Sequence, residues 1–274
     1  MKHLQRALLL LLLPSPAFAA FSLVENFDTF GVGSLNNQDG GDLQNPWTAN
    51  AQWSVVSAPA GGSGNAISGQ AQASDGAAFR ALNTAIDNAN TASTLFFRLY
   101  RTGGVNMSAG LSDDAVPALF AGYEIQLNAQ NNGTPNDSFK ARDAGAFDDL
   151  GAGTFAVSTW YNVWMVVNNS TNFYELYMNQ GDFGTAGTTQ IHIPDPNQPG
   201  DFQFGFRNGG VNPLTTLIFA MGNAPLTGTM VVDDIYIDNS GQNLVNPVPE
   251  PSSALLVGAA ATLGLASRRR NRRA

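Results

Sequence analysis

Trp160-Tyr161-Asn162-Val163-Trp164-Met165-Val166-Val167-Asn168, followed after Asn169-Ser170-Thr171-Asn172 by Phe173-Tyr174-Glu175-Leu176-Tyr177-Met178, is the most apolar stretch between the two ends of the chain. Successive side chains on a strand point to opposite faces. Val163, Met165 and Val167 therefore share one face, and Trp164 and Val166 the other. Apolar residues on both faces predict a central strand covered on both sides. The polar run 168–172 predicts a hairpin connection to the strand that opens at Phe173.

The same alternation recurs on either side of this hairpin. Residues 21–28 read as a first strand, and 53–57, 77–82 and 94–101 as later ones. In the last of these, Leu95, Phe97 and Leu99 oppose Phe96, Arg98 and Tyr100. Tyr123, Ile125 and Leu127 are expected on one face, Glu124 and Gln126 on the other. Residues 139–143 are short and charged, the pattern of an edge or outward strand. Phe202, Phe204 and Phe206 alternate with Gln203, Gly205 and Arg207, and 215–221 and 230–238 complete the set.

Between them lie turns. Residues 31–51 are rich in Gly, Asn, Asp and Gln and predict a long surface loop carrying Trp47; residues 58–64 predict a flexible turn. No segment keeps a 3.6-residue period over three turns, and 83–90 offers one short helix or turn at most. No repeat of 20–50 residues is present. A dozen or so short strands separated by Gly- and Asn-rich turns predict an all-β fold, a two-sheet antiparallel β-sandwich.

The ends read as signals. Lys2 and Arg6, an apolar run from Leu8 to Leu13, and Ala17-Phe18-Ala19 have the layout of a Sec signal peptide over 1–19, cut between Ala19 and Ala20. At the other end, Val248-Pro249-Glu250-Pro251 precedes an apolar run over 254–266 and the basic residues Arg268, Arg269, Arg270, Arg272 and Arg273. A helix crossing the hydrocarbon core needs about 20 apolar residues, and this run has thirteen. It predicts a short, weak membrane helix with its arginines held on the cytoplasmic side. The prolines keep the segment before it extended and accessible. This division leaves 20–240 as the body and 241–247 as a linker.

Composition bounds the body. It holds six of the thirteen Lys and Arg residues but twenty of the twenty-one acidic ones, a net charge of −14 between Ala20 and Pro247. Nucleic acid and anionic lipid need a basic footprint, so neither is expected as a partner. Solubility, divalent cations or neutral glycans suit the charge. There is no cysteine, which excludes disulfides and thiolate metal sites.

The C-terminal segment resembles the PEP-CTERM sorting signal of Gram-negative bacteria: motif, short apolar helix and Arg cluster stand in that order. The resemblance implies an exosortase partner that cuts near 248–251, after export by the Sec translocon and signal peptidase. It places the protein at the envelope surface or in an exopolysaccharide matrix. The hairpin at 160–178, the closing Gly228-Thr229-Met230-Val231-Val232-Asp233-Asp234-Ile235-Tyr236-Ile237-Asp238 and the opening Glu25-Asn26-Phe27-Asp28 resemble concanavalin A-like and laminin G-like jelly rolls. That resemblance implies pairing of the first and last strands, and a calcium ion at the rim.

Candidate chemistry is sparse. A glycosidase needs two carboxylates flanking one bond, yet Glu25, Glu124 and Glu175 each stand alone on a strand. Asp113-Asp114, Asp148-Asp149 and Asp233-Asp234 are adjacent pairs, which a regular strand sends to opposite faces. No catalytic residue is assigned. Calcium takes six to eight oxygens, and Asp28, Asp233 and Asp234 are the weak candidates to hold it. Asp233 is expected to share a face with Val231, Ile235 and Ile237. Trp47, in its polar loop, is the candidate for stacking on a sugar. The sequence thus reads as an exported, noncatalytic, glycan-associated protein. The alternatives are a carbohydrate-active enzyme on the same fold, or an ice-binding or purely structural matrix protein.

Overall fold

A computed structural model describes residues 21–39, 45–87, 92–130, 138–150, 156–181, 191–210, 212–222 and 227–247. The signal-peptide residues Ala17, Ala19 and Ala20, the motif 248–251 and the C-terminal arginines lie outside the described residues. The first strands are β1 (Ser22–Glu25), β2 (Gly33–Ser34), β3 (Thr48–Ala49), β4 (Trp53–Ser57), β5 (Asn65–Gln70), β6 (Gly76–Ile86), β7 (Ser93–Arg101) and β8 (Asn106–Ser112). A 3-10 turn at Leu119–Gly122 leads to β9 (Ile125–Gln130), β10 (Ser138–Asp143), β11 (Ala146–Asp149), β12 (Tyr161–Asn168) and β13 (Phe173–Gln180). The last are β14 (Ile191–His192), β15 (Phe204–Gly205), β16 (Leu214–Met221) and β17 (Thr229–Asp238).

They form two antiparallel sheets. One runs β14-β13-β12-β7-β17-β5-β4-β2, with β1 also on β17 and β15 also on β13; the other runs β11-β10-β9-β8-β16-β6-β3. The all-β sandwich is as expected, and so is the pairing of first and last strands, Ser22 opposite Ile237.

The hairpin that decided the fold sits where its two apolar faces require. β12 and β13 pair in unbroken register from Tyr161 opposite Gln180 to Asn168 opposite Phe173. Asn172 turns the chain at a φ of 59°, a conformation that asparagine tolerates. The Asn168 side-chain oxygen accepts hydrogen bonds from Ser170 N at 3.2 Å and Thr171 N at 3.3 Å, fixing the connection. Val163, Met165 and Val167 join the core between the sheets together with Phe97, Leu127 and Phe219. Trp164 and Val166 face outward, where Phe96 and Tyr177 cover them.

Several expectations change. Trp47 is fully buried: its ring stacks on Phe219 with centroids 6.1 Å apart and packs on Phe27 at 5.8 Å. Loop backbone hydrogen bonds, Trp47 N to Gln38 O and Asn37 N to Trp47 O, turn it inward. A polar loop composition reports where the backbone lies, not where one large apolar ring goes to leave water. Residues 83–86 continue β6 instead of forming a helix. β10 is not the edge, because β11 pairs outside it. Tyr123 precedes its strand and packs with Ile218 and Ala220 on the outer side of the seven-stranded sheet, away from Ile125 and Leu127. A Cβ on Gly110 would collide with the Ile125 carbonyl, so β8 needs glycine where it passes beneath that tyrosine.

Residues 241–247, expected as a linker, are a strap across the outer face of the ten-stranded sheet. Thr94 Oγ1 donates to Gly241 O and accepts from Asn243 N, both at 2.9 Å, and Trp164 Nε1 donates to Val245 O at 3.1 Å. Leu244 packs over the same aromatic cluster. Packing against the sheet therefore continues past β17 to Val245.

Candidate functional site

The three glutamates of the body are dispersed. Glu25 lies inside, its Oε2 2.7 Å from Arg80 Nη1 in a buried ion pair. The rest of that carboxylate accepts from the backbone N–H groups of Asn26 and Phe27. Glu124, just before β9, accepts from Asn208 N at 3.2 Å and Asn208 Nδ2 at 2.7 Å. Glu175 faces outward on β13. Of the three, Glu175 alone lines the pocket beside Phe173.

The surroundings of Glu175 are more informative. Its Oε2 accepts from the Tyr177 hydroxyl at 2.9 Å and lies 3.0 Å from His192 Nε2. His192 is held between two rings: Tyr177 at 4.1 Å and 8° on one side, Phe202 at 4.0 Å and 20° on the other. Register explains the first contact, because β14 places His192 directly opposite Tyr177. Gln242 of the strap donates to the Tyr177 hydroxyl at 2.8 Å. Burial, and then the neighbouring Glu175, push the phenol up to about 12, so Tyr177 stays a neutral donor.

Beside this stack is a pocket of about 170 Å³, with Asn168, Phe173, Glu175, Gln203 and Gln242 in its lining. Phe173 is 41% exposed there. Most other aromatic residues of the sheet are buried; this one is partly exposed beside amides and a carboxylate. A larger hollow of about 250 Å³ between β1, β6 and β17 offers Asp238, but Ser240 and Asn243 already occupy that carboxylate.

The sequence candidates for metal come together in an unexpected way. β17 carries a bulge between Asp233 and Tyr236, with Asp234 at a φ of 51°. One extra residue shifts the face parity of a strand. Val231 packs outside, Ile235 and Ile237 inside, and both aspartates turn to the outer side, opposite Arg98. The expected shared face of Asp233 with Ile235 and Ile237 is therefore broken. Arg98 Nη1 donates to Asp234 Oδ2 at 3.1 Å, its Nη2 donates to the carbonyls of Gly61 and Gly181, and its guanidinium lies 4.4 Å over the Trp160 ring. Burial, followed by repulsion from Asp234, pushes the Asp233 carboxyl up to about 9. Asp28 is exposed, and its Oδ1 accepts from Asn65 N at 3.0 Å. Burial thus disfavours charge on both carboxyls, and the Arg98 guanidinium favours it.

A second acidic group escaped the sequence reading. Asp143 ends β10, Asp148 lies on β11, and Asp195 follows β14, yet each offers an oxygen within 4.8 Å of the others. No motif spacing announces it, since fifty residues and a change of sheet separate Asp195 from the hairpin.

Residues 247–270 match the profile of the PEP-CTERM protein-sorting motif. The chain carries a PEP-CTERM sorting signal. That signal marks an exported, envelope-associated bacterial protein handled by an exosortase. No curated protein matches the sequence. Among solved structures, the catalytic domain of a glycoside hydrolase family 131 protein from Coprinopsis cinerea aligns with 85% of this chain and 98% of its own, at a TM-score of 0.54 and 8% identity. The GH131 β-glucanase catalytic domain of Podospora anserina (79% and 94% covered, 12% identity) has a TM-score of 0.46. Lectin II from Ulex europaeus (79% and 97% covered, 10% identity) has one of 0.47. At 8% identity the first likeness is one of fold alone: the body is a two-sheet antiparallel jelly roll.

Proposed function

We propose that this PEP-CTERM protein is a glycan-associated component of the bacterial surface or its polysaccharide matrix, and that it holds sugar in the pocket beside Phe173. The observation that carries the reading is the exposed Phe173 ring set among Glu175, Gln203, Gln242 and Asn168. Sugar sites combine a small apolar platform with a few convergent polar groups that fix orientation. An aromatic face offers the apolar contact, and amides and carboxylates can bridge neighbouring hydroxyls because each has paired donor or acceptor atoms. The Tyr177 hydroxyl donates to Glu175 and accepts from Gln242, so two of the pocket's polar groups are fixed by one phenol before a ligand arrives.

The sorting signal supports the reading independently. It delivers the body to a surface rich in polysaccharide, where an acidic protein is not retained by anionic lipid. In this account the Sec translocon, signal peptidase and exosortase act at the ends of the chain. The test is a glycan array probed with the purified exported protein. Binding to a defined set of neutral oligosaccharides supports the proposal. Hydrolysis of the bound glycans would assign the fold to a carbohydrate-active enzyme, and an array without any binder would leave a structural matrix role.

A further inference from the structure

The two buried acidic groups differ in one respect: no cation is paired with Asp143, Asp148 and Asp195 among the described residues. Asp148 and Asp195 are only 5% and 2% exposed. Part of their hydrogen-bonding capacity is met by protein. Asn197 Nδ2 donates to Asp148 Oδ1, Asn197 N donates to Asp195 Oδ1 at 2.7 Å, and Gly205 N donates to Asp143 Oδ1 at 2.6 Å. Of the three remaining oxygens, Asp148 Oδ2 and Asp195 Oδ2 are buried with no partner. A buried polar atom left without a partner is costly, and three carboxylates this close repel one another. Burial, with Asp195 and Asp143 beside it, raises the Asp148 carboxyl above the usual range.

We propose that Asp143, Asp148 and Asp195 hold a divalent, oxygen-seeking cation, calcium by preference, that ties the open edge of one sheet to the open edge of the other. The chemistry of the donors selects the ion: an all-carboxylate site suits calcium, magnesium or manganese and not zinc or copper. Topology gives the site its purpose. β11 and β10 end the seven-stranded sheet, while β14 and β15 lie on the outer side of β13 at the end of the ten-stranded sheet. Asp143 and Asp148 belong to the first edge, and Asp195 to the loop between β14 and β15. In an exported chain without cysteine, an ion there does what a disulfide would otherwise do. None of the three carboxylates is in the lining of the Phe173 pocket, and the inference does not depend on the glycan reading.

The test is thermal unfolding of the purified exported protein after EDTA treatment, with calcium chloride, magnesium chloride or no addition. Calcium at a hundredfold excess over its dissociation constant should raise the melting temperature by roughly 5–10 °C. Asp195→Asn should abolish that rise while melting at or above the wild-type temperature in EDTA, since it removes one of three repelling charges. Asp28→Asn should leave the calcium response intact. A melting curve indifferent to calcium and to EDTA would overturn the proposal, as would a calcium response retained in full by Asp195→Asn.

Discussion

On the inner side of β12 and β13, Val163, Met165, Val167 and Leu176 are wholly buried; on the outer side of the same two strands, Phe173 stands 41% exposed beside Glu175. The inner face is closed by a second sheet of matching shape. The outer face is closed only in part, by the strap 241–247 lying over Trp164 and Thr94. Where the strap stops, rings, amides and a carboxylate remain together at the surface. Packing thus fixes the fold from one side of this sheet and leaves its chemistry to the other. If that division holds, substitutions should cost most on the inner face and least at the exposed ring.

The largest effect is expected at Val163. Val163→Asp puts an unpaired charge between the sheets, which costs several kcal/mol against a typical domain stability of about 5–15 kcal/mol. Immunoblotting should find little exported protein. Normal export of this variant would mean the face is not interior. Trp47→Ala comes next, at about 3–5 kcal/mol for a buried tryptophan. Its denaturant midpoint should fall with an unchanged slope, and a loss below about 1 kcal/mol would return Trp47 to the surface.

A third effect is one of pH dependence and concerns the outer-face acidic pair. The Asp233 carboxyl is raised to about 9 from an unfolded value near 3.9, so the folded state binds more protons than the unfolded state between those limits. Its contribution to stability is fully present below about pH 4 and is lost as pH rises through about 9. The melting temperature of the wild type should accordingly fall more steeply across this window than that of Asp233→Asn. Parallel curves would show that Asp233 is ionised in the fold.

How much of this was legible depends on how local the cause was. The β12–β13 hairpin was readable because each residue's face follows from its neighbour's. β5 and β8 were not, because Asn65-Ala66-Ile67-Ser68-Gly69-Gln70 and Asn106-Met107-Ser108-Ala109-Gly110-Leu111-Ser112 are built of small residues that fit beneath Trp53 and Tyr123 and show little alternation. Asp233 and Asp234 were noticed as a pair, but a bulge that reverses face parity cannot be read from alternation. Arg98 was placed on the correct face without its partners, and Arg80 was missed as the ion-pair partner of Glu25. The Asp143, Asp148 and Asp195 group depends on contact between the edges of two sheets. From the sequence Phe173 is only the start of a strand; its exposure depends on what covers the outer face.

The central claim is that the open part of the outer face, not the core or the polar loop, is where this protein meets its ligand. The most direct measurement compares wild type and Phe173→Ala for binding to an oligosaccharide found on the array, with thermal melting run in parallel. The account predicts at least a tenfold loss of affinity, about 1.4 kcal/mol, with the melting temperature changed by no more than a few degrees. Unchanged affinity in the folded variant would contradict it.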